Sequence, residues 1–327
     1  MPMEQSNKPR VLAVVGATAS GKTALSIALA RALGGEILSF DSMQVYRGMD
    51  VGTATPTPSE LAAVPHHLIN IREPQESFSC ADFVSLARAH IDELRARGVL
   101  PVLCGGTGLY LDGLLCGGAY ETAPPTDPAL RERLLAQAQR EGALALWEQL
   151  RQIDPESAAA THPNNVKRVV RALEIYLCCG KTKTQLDRES RPQPTLCYDA
   201  TVIGLHYEHR ELLYERIDRR VDLMLQDGLL QEVRALESAG IFAQSATAAQ
   251  AIGYKELLGY LRGEDSLESA VQNIKLATRH YAKRQLTWFR GRPYVRWVRA
   301  DDENGQMRPF PDILEDALAL AREGGEV

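Results

Sequence analysis

The hydrophobic and polar positions in the first third of the chain follow two alternating patterns. Short apolar runs predict β-strands, at 11–15, 36–40, 67–71 and 100–104. Stretches with helical periodicity lie between them, at 23–33 and 80–97. Strands and helices in this order are typical of βαβ units, which build a parallel sheet covered by helices on both faces. We therefore predict an α/β fold.

The pattern changes at a turn-rich stretch, APPTDP at 123–128. Residues 129–185 beyond it are predicted to be helical, and an apolar run at 200–205 predicts a strand that returns to the sheet. The chain after that strand, 208–290, is again mostly helical. The predicted organisation is a discontinuous α/β core and an all-helical insertion domain: core residues 1–115 and 198–327, and insertion residues 116–197.

A phosphate-binding motif joins the first predicted strand to the first predicted helix. Residues 16–23 read GATASGKT, which fits G-x-x-x-x-G-K-[ST] in the required strand–loop–helix context. The glycines let backbone N–H groups surround a phosphate at the positive end of the helix. Lys22 can reach a terminal phosphate oxygen, and the Thr23 hydroxyl can bind Mg²⁺ on the same ligand. The predicted diphosphate- or triphosphate-binding residues are Gly16, Ala17, Thr18, Ala19, Ser20, Gly21, Lys22 and Thr23.

Two other segments follow predicted strands and could share a crevice with this loop. Asp41 comes after 36–40, and Gly105-Gly106-Thr107-Gly108 comes after 100–104. A carboxylate at this place can hold Mg²⁺ through a diphosphate, accept a proton from a nucleophile, or cap the next turn. Its position alone leaves all three roles open. The glycines allow a close approach of backbone, and Thr107 offers a hydroxyl beside the crevice.

Positive charge is concentrated near the end of the chain, although the net charge is −5. The segment 275–299 contains eight basic residues and no acidic one: Lys275, Arg279, Lys283, Arg284, Arg290, Arg292, Arg296 and Arg299. On a helix, the positions 275, 279, 283 and 290 share one face. A basic face with interleaved aromatic residues is suited to the phosphates and bases of nucleic acid, although the aromatic side chains would more often pack inward. We predict a polyanion-binding surface here.

Composition excludes several classes of protein. The 327 residues are 45% hydrophobic and 24% charged, as in globular proteins. We find no secretory signal and no apolar run long enough for a membrane helix, and the six cysteines lack metal-site or disulfide spacing. These features predict a cytoplasmic protein with reduced thiols.

Six segments stand in a characteristic order along the chain. They are GATASGKT (16–23), DSMQVY (41–46), GGTGLY (105–110), HPNNVKRVVRALEIY (162–176), AIGYKE (251–256) and TRHYAKRQLTWFR (278–290). Together they resemble the motifs of the tRNA dimethylallyltransferase family in its bacterial form. Ala17 is a departure, since bacterial members often have Pro there, but it lies on the back of the loop.

The resemblance implies a P-loop NTPase-like core that holds dimethylallyl diphosphate with Mg²⁺ instead of a nucleoside triphosphate. It implies transfer of the five-carbon group to the N6 amine of the adenosine 3′ to the anticodon, tRNA position 37. Asp41 would be the general base, Arg220 would contact the diphosphate, and Thr107 would lie near the reacting groups. The residue types alone do not single out Arg220, because it lies in a helix of mixed charge.

The resemblance also implies which residues contact the anticodon stem-loop of tRNA. In the core these are Asp41, Ser42, Met43, Gln44, Thr107, Gln250, Ala251, Ile252, Gly253, Tyr254, Lys255, Lys283, Arg284, Gln285, Leu286, Thr287, Trp288, Phe289 and Arg290. In the insertion they are Asp127, Lys167, Arg168, Val169, Val170 and Arg171.

Three other functions share part of this pattern. A P-loop kinase would have the same loop and core but would need ATP. A transferase that prenylates free adenine nucleotides would not need a long basic surface. A non-catalytic RNA-binding protein with a nucleotide switch would not need a base at Asp41.

Overall fold

The computed structural model describes residues 8–117, 126–189, 196–245 and 247–323. The chain forms two compact units. Met1–Leu115 and Leu196–Val327 make up the first, and Cys116–Thr195 the second. The predicted insertion, 116–197, begins at the same residue as the second unit and ends slightly later.

A parallel sheet is the centre of the first unit, and its described strands are arranged in the order β3-β2-β4-β1-β5-β6. The strands are β1 (Arg10–Gly16), β2 (Gly35–Ser39), β3 (His66–His67), β4 (Leu100–Gly105), β5 (Asp199–His206) and β6 (Val295–Arg299). Val11 to Val15 of β1 are all buried, as expected for a central strand with helices on both faces. The carboxyl end of β1 therefore lies in the middle of the sheet edge where ligands bind.

The helices, in chain order, are α1 (Lys22–Leu33), α2 (Pro58–Ala63), α3 (Cys80–Ala96), α4 (Gly108–Cys116), α5 (Pro128–Glu141), α6 (Ala143–Ile153), α7 (Pro155–Ala159), α8 (Val166–Cys179), α9 (Lys183–Glu189), α10 (Arg210–Gln226), α11 (Leu229–Ser238), α12 (Ile241–Gln244), α13 (Tyr254–Leu261), α14 (Leu267–Arg290) and α15 (Phe310–Glu323). A 3₁₀ turn, Ala248–Gln250, precedes α13. The predicted α/β alternation and the helical insertion are both present. Part of the turn-rich stretch 123–128 lies outside the described residues.

The returning strand is where the sequence placed it. β5 pairs with β1 in parallel, with Ala13 opposite Val202 and Val14 opposite Ile203. The chain thus leaves the sheet after β4, forms the second unit, and comes back to complete the centre of the sheet. The last strand, β6, was not predicted, because its alternation of Arg with apolar residues was interpreted as part of a basic surface.

The strand predicted at 67–71 was mostly wrong, because β3 ends at His67. Leu68 and Asn70 have φ angles of 64° and 52°, and this left-handed backbone turns the chain out of the sheet. The segment then pairs with the chain that follows Asp41: Asn70 N–H donates to the Gln44 carbonyl at 2.9 Å, and Ile71 N–H to the Val45 carbonyl at 2.8 Å. The turn therefore supports the Asp41 segment.

The second unit is a small helical bundle made of α5–α9. Leucines and valines of α5, α6 and α8 form its core, including Leu134, Leu150 and Val169. Glu174 is buried in α8 and accepts hydrogen bonds from Arg131 and Arg171, each at 2.7 Å. Although burial opposes ionisation, these hydrogen bonds lower the pKa of Glu174. The carboxylate therefore joins two helices of the bundle.

Candidate active site

The phosphate loop lies between β1 and α1 with its backbone already curved. Gly21 caps α1 with φ 94°, and Ala19 also has a left-handed φ of 62°. A Cβ on Gly16 would come within 2.7 Å of the Ser20 hydroxyl oxygen, so this approach requires glycine. The Ser20 hydroxyl is buried and has no hydrogen-bond partner among the described residues. An unsatisfied donor inside such a loop is suited to an oxyanion.

Two cations face the same cavity as the loop. Lys22 begins α1 and donates to the Ala17 carbonyl at 3.2 Å, and Arg220 reaches the cavity from α10. Burial lowers the pKa of Lys22, and nearby Arg220 lowers it further, whereas Asp41 raises it. Burial also lowers the pKa of Arg220, and Asp41 opposes this shift. Two half-buried cations held side by side favour an anionic ligand that neutralises both.

Asp41 lies two residues beyond the end of β2 and also lines the cavity. Its Oδ1 accepts a hydrogen bond from Met43 N–H at 2.9 Å, which is the turn-capping geometry considered from the sequence. The same carboxylate lies close enough to Lys22 and Arg220 to affect the pKa of both. Asp41 therefore caps a turn and faces the cavity at once.

The glycine-rich segment after β4 is packed too closely for side chains. A Cβ on Gly105 would meet Phe40 at 2.7 Å, one on Gly106 would meet Gln285 at 2.0 Å, and one on Gly108 would meet Trp288 at 2.3 Å. Within this segment, the Thr107 hydroxyl accepts a hydrogen bond from Ser42 N–H at 3.1 Å. The segment therefore joins the turn at Asp41 to α14.

Gln285 connects this segment to the phosphate loop. Its Oε1 accepts a hydrogen bond from Thr18 N–H at 2.8 Å, and its Nε2 donates to the Gly106 carbonyl at 3.0 Å. The side chain is buried, so both halves of the amide are used inside the protein. Sequence reasoning placed Gln285 among the tRNA contacts. Its observed hydrogen bonds fix the phosphate loop against the glycine-rich segment.

Two ion pairs fix the register between α10 and α14, two helices that both contribute residues to the cavity lining. Arg279 of α14 donates to Asp218 of α10 at 3.0 Å, and Lys275 pairs with Asp222 at 2.7 Å. The two ion pairs lie one helical turn apart on each helix, and the later residue of α14 pairs with the earlier residue of α10. The helices α10 and α14 therefore run antiparallel. Arg220 lies between the two aspartates on α10, and this register sets its height in the cavity.

The cavity has a volume of about 350 Å³ and is lined by both polar and apolar side chains. Thr18, Lys22, Thr23 and Asp41 are among the polar lining residues. The apolar ones include Val221, Met224, Leu229 and Ile274, together with the ring of Tyr254. Along α10, Met224 is about 6 Å beyond Arg220 at the usual helical rise. A ligand with an anionic head and a short hydrocarbon tail matches this combination of side chains.

The structure changes the interpretation of the basic segment 275–299. Four of its eight cations are paired with acids from other elements: Lys275 with Asp222, Arg279 with Asp218, Arg292 with Asp112, and Arg296 with Glu323. Arg299 is half-buried. Lys283, Arg284 and Arg290 are exposed and form no ion pair with any described residue. The segment 275–299 therefore contains no acidic residue, but acidic residues of other elements neutralise half of its cations in the folded chain. The basic surface is smaller than the one predicted from the sequence.

The core residues expected to contact tRNA divide into three sets. The side chains of Lys255, Lys283, Arg284, Thr287, Trp288 and Arg290 are exposed. The segment 250–253 lines the cavity with Ser42, Met43 and Gln44. Phe289 and Tyr254 are fully buried, and Leu286 packs on the core, so these side chains present little or no surface to a macromolecule. The expected tRNA contacts of the core thus differ in how far their side chains are exposed, and the contacts themselves stay a prediction.

The insertion residues expected to contact tRNA divide in the same way. Lys167 and Arg168 are exposed on the first turn of α8, whereas Val169 and Val170 are buried in the bundle core. The side chains of the two valines contribute to the core of the bundle. Asp127 is exposed and caps α5 by accepting a hydrogen bond from Leu130 N–H at 3.0 Å.

Thr23 and Asp41 are the oxygen donors that could bind a divalent cation in this cavity. Among the described residues there is no cluster of three or more His, Cys, Asp or Glu side chains of the kind that binds a metal by itself. Mg²⁺ usually takes one or two protein oxygens and completes its coordination with substrate phosphates and water. A hydroxyl and a carboxylate beside a phosphate loop fit that requirement.

Two other expectations concern the cysteines and the membrane. The six cysteines form no disulfide in the part of the chain that the structure describes, and burial raises the pKa of Cys104, which lines the cavity. No helix in the described part of the chain is long and apolar enough to cross a bilayer.

Comparison with known proteins identifies relatives of this chain. The family model described as IPP transferase matches residues 44–292. The tRNA dimethylallyltransferase of Geobacillus thermodenitrificans is 50% identical over 293 residues, which cover 90% of this chain and 91% of that protein. The enzyme of the same name from Bacillus subtilis is 50% identical over 292 residues, with coverage of 89% and 91%.

Two solved structures resemble the fold over most of its length. The full-length tRNA isopentenylpyrophosphate transferase of Bacillus halodurans has a TM-score of 0.69 and 43% identity, and the match covers 98% of this chain and 99% of that one. A eukaryotic dimethylallyltransferase acting on tRNA has a TM-score of 0.73 and 30% identity, with coverage of 90% and 75%.

Proposed function

This chain belongs to the IPP transferase family, and from this premise we propose that it transfers the dimethylallyl group of dimethylallyl diphosphate to an adenosine of tRNA. The accepting atom is the exocyclic N6 amine of the base 3′ to the anticodon, position 37. One observation carries the proposal: the same cavity is lined by a phosphate loop, two cations, a carboxylate and a set of apolar side chains.

The loop end of the cavity is suited to the leaving group. As the bond between the allylic carbon and the diphosphate oxygen breaks, negative charge grows on the diphosphate. Lys22 and Arg220 line the cavity together with the loop, so both cations can stabilise this charge. Mg²⁺ held by Thr23 and the diphosphate would supply further neutralisation of the leaving group.

The Asp41 carboxylate is suited to the acceptor. An aryl amine is a weak nucleophile, and it loses a proton as the new bond from nitrogen to carbon forms. Asp41 can take that proton, and its Oδ1 is oriented by the Met43 N–H. The apolar side chains of the cavity wall limit the access of water to the allylic carbon, which would otherwise be hydrolysed.

The choice of donor tests the proposal directly. We expect the protein to consume dimethylallyl diphosphate and modify tRNA adenosine without hydrolysing ATP, because the cavity holds a diphosphate as leaving group and a hydrocarbon beside it. Mass analysis of nucleosides from tRNA incubated with Mg²⁺ and each donor measures this. Phosphate transfer from ATP without prenylation would identify a kinase, and modification of free AMP but not tRNA would identify a nucleotide prenyltransferase.

The exposed cations of α14 provide a separate test of tRNA binding. Lys283 and Arg290 are about 20° apart in helical projection. Replacing both with Ala should weaken the binding of different tRNAs alike. It should also make the plot of log affinity against log salt shallower by roughly 0.7–0.9 per lost phosphate contact. The rate at saturating tRNA should stay nearly constant.

Lys275→Ala is the matched control on the same helix, because Lys275 is already paired with Asp222. We expect the salt dependence of tRNA affinity to change little in this variant. If the Lys283 and Arg290 double variant keeps the parental salt dependence of tRNA affinity but loses most of its rate at saturating tRNA, this face of α14 belongs to the active site and does not position the tRNA backbone.

A further inference from the structure

Glu232 of α11 makes four hydrogen bonds to the cavity wall, although it does not itself line the cavity. Its Oε2 accepts from the N–H groups of Asp50 and Val51, both at 2.8 Å. Its Oε1 accepts from Gly52 N–H at 3.1 Å and from the Tyr254 hydroxyl at 2.6 Å. A single carboxylate thus joins two segments that are far apart in sequence.

Each of these two segments, 50–52 and the start of α13, contributes a residue to the cavity wall. Gly52 and Tyr254 line it, and they are in contact: a Cβ on Gly52 would lie 2.4 Å from the Tyr254 ring. The ring is completely buried, so it has no room to move away. The wall therefore keeps its shape only while the segment 50–52 and Tyr254 stay in place.

A chain of hydrogen bonds continues from this wall to the turn that contains Asp41. The carbonyls of Thr53 and Ala54 accept from Gln44 Nε2 at 3.4 and 3.1 Å. Gln44 Oε1 accepts from the Ser39 hydroxyl at 2.9 Å, and the Ser39 oxygen accepts from Asp41 N–H at 3.4 Å. Both ends of the Gln44 amide are therefore used within the protein, although the sequence placed this residue among the tRNA contacts.

We propose that Glu232 is a positioning residue for the transfer reaction, acting through the segment 50–54, Gln44 and Ser39 on the turn that holds Asp41. This inference rests on the proposed function. Glu232 touches no reacting group. Its role is to keep the carboxylate of Asp41 at a fixed separation from the wall formed by the segment 50–52 and Tyr254, so that the accepting amine meets both the base and the allylic carbon.

The negative charge of Glu232 is needed because all four of its partners are donors. Glutamine has the same shape, but its amide nitrogen would face donors and could not accept from them. The Glu232→Gln variant should therefore lose at least two of the four hydrogen bonds and loosen the segment 50–52. A misplacement of about 1 Å at a reacting group can lower a rate by about 10²-fold.

The experiment compares Glu232→Gln with Glu237→Gln. Glu237 lies on the same helix and pairs at the surface with Arg262 at 3.4 Å. We expect the single-turnover rate of Glu232→Gln, with both substrates saturating, to fall by about 10–100-fold. Affinity for tRNA and for inorganic diphosphate should stay within a few-fold of the parent. Glu237→Gln should match the parent in all three. A fall in diphosphate affinity as large as the fall in rate would overturn the inference.

Hydrogen exchange provides a second readout that does not depend on activity. In Glu232→Gln, the amides of Asp50, Val51, Gly52 and Asp41 should exchange faster, and the amides of β1 and β4 should be unchanged. If Glu232→Gln does not fold, Ser39→Ala breaks the last link and should speed exchange at Asp41, while the amides of Asp50, Val51 and Gly52 keep the parental exchange. Unchanged amide exchange, or a parental rate in Ser39→Ala, would overturn the inference. If the parent protein does not catalyse the transfer but the variants show the expected exchange pattern, the proposed function is contradicted and the positioning role is not.

Discussion

Asp41→Asn should lower the rate of dimethylallyl transfer by about 10²–10⁴-fold, the usual contribution of a general base. The substitution separates the two roles of this residue. Asn keeps the side-chain oxygen that accepts the Met43 N–H bond and is itself favoured in such turns, so the cap survives. Only the capacity to take a proton from the amine is lost.

Single-turnover measurements with saturating tRNA isolate this step from product release. The affinity for tRNA should change little. Asp92→Asn, which changes an exposed aspartate on α3 that pairs with Arg95, is the control and should keep the parental rate. If Asp41→Asn stays within a few-fold of the parent, Asp41 is a turn cap and the amine loses its proton elsewhere.

Arg220→Gln should lower the same rate by about 10²–10³-fold, as expected when one preorganised group that stabilises developing negative charge is removed. It should also weaken competitive inhibition by inorganic diphosphate, because Arg220 and Lys22 face the same end of the cavity. Both measurements can be made on one preparation. Binding of tRNA should be retained.

Arg219 provides the matched control, since it is the neighbouring arginine on α10 and is exposed. Arg219→Gln should be indistinguishable from the parent in rate and in diphosphate inhibition. Equal behaviour of the two variants would show that Arg220 is a structural cation of the helix and has no part in departure of the diphosphate.

Features that depend on local sequence were predictable from the chain alone. The phosphate loop needs glycines, Lys and Thr at fixed spacing between a strand and a helix, and all of these are adjacent in sequence. The strand β5 was predictable because a fully buried strand is a continuous apolar run. The carboxyl ends of parallel strands meet at one edge of the sheet, which brings Asp41 and Thr107 toward the loop.

Features that depend on distant pairings were not predictable in this way. Residues 275–299 contain no acid, but Asp218, Asp222, Asp112 and Glu323 approach from other elements and neutralise half of the cations. Glu232 had no distinguishing signal either, because its partners are mostly backbone N–H groups, which every residue type except Pro carries. Such roles appear only when the fold supplies the partners.

The position of β5 has a consequence for biosynthesis. β1 lies at the centre of the sheet, yet Arg10 pairs with Asp199, so one side of β1 has no partner until the whole second unit has been made. At about 5–20 residues per second, that interval lasts on the order of 10–40 s on the ribosome. An unpaired apolar strand is a template for aggregation, and the nascent chain carries one throughout this time. The helical bundle of the second unit is built from local contacts, so it can fold within the same interval. It can thus be complete before the sheet, whose strands come from both before and after it in the sequence.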